Sequence, residues 1–169
     1  MDLYMIVLRL LHIGGGVFWV GAAWLMVFYV APTAAAVGPE GDRFIGRLMA
    51  SGTARVLSLA ALTVTISGLL LYWRQSGNLQ PVWILSAPGL ALTVGSLAGL
   101  ASFVLGISVI EPSVKRLGVL TAQIASAEGP TEQQRTDLSG LQRRVTRVTR
   151  ADAYVLIVAV IGMAIARSL

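Results

Sequence analysis

The chain has 169 residues, 56% hydrophobic and 12% charged, with a mean hydropathy of +0.76 and a formal net charge of +5. Soluble domains carry about 25% charged residues, so half that share, with apolar runs of spanning length, predicts an integral membrane protein of one domain, 1–169. The lack of cysteine excludes disulfides, thiolate metal sites, a Cys nucleophile and iron–sulfur clusters.

Residues 3–37 read as the first span. Met1-Asp2 is not a basic leader and the apolar run is too long for a signal-peptide core, so this helix is expected to be retained. Pro32 predicts a kink near its far end. Gly38-Pro39 is a turn, with Pro39 suited to the first position of the next helix. The half-polar EGDRFIGRLMA and the apolar VLSLAALTVTISGLLLY form a single long helix, of which 54–73 is the second span. Tyr72 and Trp73 mark an aromatic belt at its end, with Trp83 across the polar loop QSGNLQP.

The third span, 83–110, is rich in small residues, and Gly95-x3-Gly99 fits close helix packing. Glu111, followed by Pro112, is expected to cap its end. Leu117, Leu120 and Ile124, then Leu138, Leu141, Val145 and Val148, keep a 3-4 spacing on either side of a Glu128-Gly129-Pro130 turn. That pattern predicts an antiparallel helical hairpin, 112–150, outside the membrane. The fourth span, 151–167, continues a helix that starts near Thr131 and runs roughly 36 residues, ~54 Å at 1.5 Å per residue.

Ten of the thirteen Lys and Arg residues fall in the loops between spans 1 and 2 and between spans 3 and 4. The positive-inside rule then places both basic loops in the cytoplasm and both termini outside, in a bacterial inner membrane. The fold class expected is all-α, a four-helix up-down bundle with a cytoplasmic helical hairpin. The basic residues sit beside spans, so their partner is membrane lipid rather than nucleic acid, with a homodimer or a larger membrane complex as further partners. Asp152, at the inner boundary of span 4, is expected to pair with Arg55 or Arg150.

The most pointed stretch is LLHIGGGVFWVGAAWLMVFYVAP, which holds the only histidine, His12. Ionisable groups inside a span are costly and mark functional sites or buried polar contacts. Arg9 and Trp19 stand three and seven residues from His12 and are expected to share its face. With the span starting near Leu3, His12 lies roughly 13 Å along the axis, within the hydrocarbon. Arg9 can snorkel outward and His12 cannot. Gly14, Gly15, Gly16 and Gly21 strip side chains from the helix beside it, leaving room for a backbone or a flat ligand. Two readings stand here. One is a neutral histidine bonded to Ser67, Thr63 or Thr65 of span 2. The other is a metal ligand to haem or a proton relay. A second histidine ligand within the chain is impossible; a sixth ligand would come from Met5, Met26, Met163, water or His12 of a second copy.

Leu11-His12-Ile13, Trp19, Gly21 and an apolar span ending in Pro32 resemble the first helix of the CopD and HemJ families of small bacterial membrane proteins. The span 2 ending SGLLLYW and the span 4 pattern from Asp152 to Arg167 are similar to that group as well. The HemJ side of the resemblance implies b-type haem held by His12 and protoporphyrinogen oxidation. After the first span the chain differs from that pattern, and no lysine lies within a span. The CopD side implies copper uptake, which needs soft or multiple-histidine ligands that one histidine and five scattered methionines do not supply. For a haem, His12 would be the iron ligand, with Arg9 toward a propionate and Gly15, Gly16 and Trp19 lining the ring. The function expected is a haem-b protein with a redox or porphyrin-handling role; the alternative is a non-catalytic accessory or assembly subunit of a membrane complex.

Overall fold

The computed structural model describes residues 2–127 and 129–169, so Met1 of the expected helix start and Glu128 of the expected turn lie outside the described residues. The described chain is all-helical. Four helices are long and apolar enough to cross a membrane, the architecture of a multi-pass membrane protein: α1 Leu3–Val37, α2 Pro39–Gln75, α4 Ala87–Ala125 and α5 Glu132–Ile165. A one-turn helix, α3 Pro81–Ile84, precedes α4 and carries Trp83, which the sequence had placed in the third span.

Local chemistry sets the helix ends. Asp2 caps α1 by accepting from the Tyr4 N–H, and Ser86 caps α4 by accepting from the Gly89 N–H. Thr131 and Gln134 form a reciprocal capping box at the start of α5. Pro39 occupies the first turn of α2, after Gly38 at φ +81°. The long second helix is two helical segments joined at a kink: Gly52, at φ +94°, interrupts it four residues before the apolar run.

Pro32 and Pro112 do not break their helices. Each lacks the N–H that would bond the carbonyl four residues back, and each is preceded by a wide π turn, Met26–Val30 in α1 and Gly106–Ile110 in α4. Glu111 therefore does not end its helix. The helix runs on to Ala125, and Glu111 instead pairs with Lys115 one turn later at 2.6 Å.

Short connections make successive long helices antiparallel. The closest packing is between α1 and α2 and between α4 and α5, and the two pairs meet along α2–α4 and α1–α5. The interior is built from small side chains, with Ala34, Ala61, Ala153 and Ala159 buried beside Leu8, Val64 and Leu156. Large apolar residues such as Val17, Leu62, Leu97 and Ile161 face outward. This arrangement suits a lipid solvent, where helices gain nothing by hiding leucine and associate through close contact of small residues. Beyond the π turn of α4, Leu117, Leu120 and Ile124 are half-buried, as are Leu138, Leu141 and Val145 on the facing arm of α5.

Candidate functional site

His12 sits where α1 crosses α2. Its Nδ1 lies 2.9 Å from the Val64 carbonyl oxygen. A carbonyl only accepts, so Nδ1 carries the proton and donates, and in the neutral imidazole Nε2 keeps its lone pair. The Cε1–Nδ1 edge of the ring lies against Gly68: a Cβ there would stand 2.7 Å from Cε1 and 3.0 Å from Nδ1. One turn along α1, Gly15 makes the complementary approach, with its missing Cβ 2.8 Å from a Val64 methyl. Histidine and glycine on α1 thus mesh with valine and glycine on α2, and the glycines let the backbones come close enough for the ring to reach the main chain.

The hydroxyl partners expected from the sequence do not serve His12. In the apolar half of α2, Thr63 donates to the Leu59 carbonyl and Thr65 to the Ala61 carbonyl, each at 2.8 Å. Ser67 donates to the Thr63 carbonyl at 2.6 Å. Each hydroxyl closes back on its own helix, the usual way such groups are satisfied in apolar surroundings. Val64 O is the acceptor that remains near the ring, shared with a longer contact from Ser67 at 3.2 Å.

The other sequence-selected residues are distributed unevenly. Gly15 is on the packed face with His12, its open side filled by Val64. Gly16 is half-buried with open space where a Cβ would be, and Trp19 is half-buried two turns on. Arg9 is exposed, and the inward position one turn before His12 belongs to buried Leu8. Spacings of three and four both return to the same side of a helix; here the spacing of four, Leu8 to His12, follows the interface. His12 Nε2 has no hydrogen-bond partner among the described residues.

A second polar feature lies in the other pair. Asp152 is buried on α5 and faces Ser102 of α4, which is fully buried. The Ser102 hydroxyl faces the Asp152 carboxylate, but among the described residues neither Ser102 Oγ nor Asp152 Oδ1 completes a hydrogen bond of full geometry. The ion pair expected with Arg55 or Arg150 is not formed: both arginines are exposed, and the one ion pair among the described residues is Lys115–Glu111. Asp152 shares its face with Leu156, Ala159 and Gly162, the small-residue stripe that packs on α4. Reading Asp152 in register with that stripe would have placed it inward. Beside it, the Trp24 Nε1–H donates to the Ala153 carbonyl at 3.1 Å, and Phe28 meets Tyr154 edge to face, joining α1 to α5.

Among the described residues no cluster of three His, Asp or Glu side chains is placed to hold a metal ion. The arrangement around His12 can offer one nitrogen lone pair in an apolar setting, on a ring whose orientation is fixed by a main-chain bond. Comparison with protein-family models, with curated proteins and with solved structures finds no match.

Proposed function

We propose that this multi-pass protein uses His12 as the nitrogen ligand of a b-type haem, in a redox or porphyrin-handling role, in the inner membrane of a bacterium. The observation behind the reading is the Nδ1–H bond to the Val64 carbonyl. Metal-bound histidines characteristically donate their second ring N–H to a carbonyl or carboxylate, which fixes the tautomer and makes the ligating nitrogen more basic. A haem bound there would supply one-electron chemistry, and His12 would hold its iron. Gly16 and Trp19 border the ring's approach along α1. Arg9, exposed one turn away, has the reach and charge to meet a propionate. The orientation consistent with the charge count puts both termini outside and the arms at 111–150 in the cytoplasm, in contact with anionic lipid. A sixth ligand would come from Met5, Met26, Met163, water or His12 of a second copy related by a two-fold axis.

The close fit of His12 on Gly68 favours a second reading, in which the ring is a polar rivet between α1 and α2 and the bundle is an accessory subunit of a larger membrane complex. Absorption spectra separate the two. Protein purified in mild detergent from haem-replete cells should show a Soret band that shifts on dithionite reduction and is lost in His12→Ala. A colourless protein after haem reconstitution, or a band unchanged in His12→Ala, leaves the rivet.

A further inference from the structure

Beyond the π turn of α4, a shallow, open cleft of about 570 Å³ lies between the two arms. Arg116 and Leu120 reach it from α4, and Gly140, Leu141, Arg143 and Arg144 from α5. We propose that this cleft binds a phosphate group, carried by a ligand whose adjoining apolar portion rests on Leu120 and Leu141.

Three arginines from two helices line the cleft, all three exposed, against a single acid, Asp137. That acid does not neutralise them: its Oδ1 accepts from Gln133 Nε2 of its own helix at 3.0 Å, and it forms no ion pair within 4 Å. Of the three arginines only Arg143 has a side-chain hydrogen bond among the described residues, to the Ser139 hydroxyl at 3.3 Å. Packed side by side on a 3-4 hairpin, these cations repel one another, and an anion between them removes that cost. Guanidinium forks match the oxygens of phosphate bidentately, a fit that a single carboxylate ligand would not satisfy three times over. The floor is open, since a Cβ at Gly140 would meet nothing within 4 Å, and it lies between half-buried Leu120 and Leu141. The volume is within the range of small-ligand sites, about 300–1,000 Å³. The phosphate can belong to a lipid headgroup of the adjacent leaflet or to a soluble phosphorylated molecule; the recognition chemistry is the same. Nothing in this inference depends on His12.

The test uses the full chain in neutral detergent, with calorimetric titration of two probes, short-chain phosphatidic acid in mixed micelles and inorganic phosphate. Saturable binding of phosphatidic acid alone identifies a headgroup site; saturable binding of inorganic phosphate as well identifies a site open to soluble ligands. In either case Arg116→Gln with Arg144→Gln should weaken binding at least tenfold, and Asp137→Asn should tighten it. Arg74→Gln with Arg167→Gln, which removes the same charge elsewhere, should leave it within twofold. Arg116→Lys with Arg144→Lys keeps the net charge and loses the fork, so it should also bind more weakly than the wild type. Absence of binding by both probes, equal losses in the two glutamine pairs, or wild-type binding by the lysine pair would overturn the proposal.

Discussion

In the α1/α2 pair an imidazole lies between the two backbones; in the α4/α5 pair the two backbones meet directly. Gly95 and Gly162 touch main chain to main chain, a Cβ on Gly162 standing 2.9 Å from both the nitrogen and the Cα of Gly95. In the first pair the glycines admit a polar ring and the ring satisfies itself on a carbonyl. In the second, the Ser102 hydroxyl and the Asp152 carboxylate are buried together, and among the described residues Ser102 Oγ and Asp152 Oδ1 complete no hydrogen bond of full geometry. The same small-residue packing accompanies a satisfied polar contact in one pair and an unsatisfied one in the other. The difference is what stands beside the glycine: a side chain long enough to reach the neighbouring backbone, or a short hydroxyl that is not.

Three substitutions probe that contrast. The largest effect is expected from Gly162→Val, because its Cβ would meet Gly95 backbone, which cannot swing aside. Overpacking of this kind costs about 3 kcal/mol, read as a lower midpoint in reversible SDS unfolding. An unchanged midpoint would show that α4 and α5 do not meet at these glycines. Next, Gly68→Ala should cost about 1–2 kcal/mol by displacing the His12 ring and its bond to Val64. On a His12→Ala background the same change should become neutral or stabilising, since the ring is gone and alanine is favoured over glycine in a helix by about 0.8–1.0 kcal/mol. Failure of the sign to reverse would separate Gly68 from His12. The smallest effect is a gain: Ser102→Ala removes a buried hydroxyl that completes no hydrogen bond of full geometry and should stabilise by about 1 kcal/mol. A loss instead would mean that the hydroxyl is bonded, with Asp152 as the neighbour to answer for it.

Much of the architecture was legible because its signals are long or chemically distinct. Apolar runs gave the four long helices, Gly38-Pro39 the first turn, and the matched 3-4 spacing the two arms beyond the spans. Gly95 was read as a packing residue and stands in a helix contact. What escaped notice depends on atoms that a sequence does not display. The partner of His12 is a carbonyl, and every residue has one, so the hydroxyls of Thr63, Thr65 and Ser67 drew attention while their own helix already held them. Arg9 and Leu8 both lie about one turn from His12, and only the crossing with α2 decides between them. The inner-boundary position of Asp152 points to Arg55 or Arg150 as partners, although its burial follows from a stripe that ends on Gly162. The kink at Gly52 went unread because the polar run on one side and the apolar run on the other are each helical in pattern.

The contacts that orient His12 all come from residues between Leu8 and Gly68. Everything from the loop after Gln75 onward, including the whole α4/α5 pair, contributes nothing to the bond with Val64 or to the seat on Gly68. The order of synthesis therefore matters. At 5–20 residues per second the remaining part of the chain takes roughly 5–20 s to emerge. Throughout that interval α1 and α2 already hold every group that the Nδ1 bond and the glycine seat require, so the ring can be seated before α4 and α5 exist.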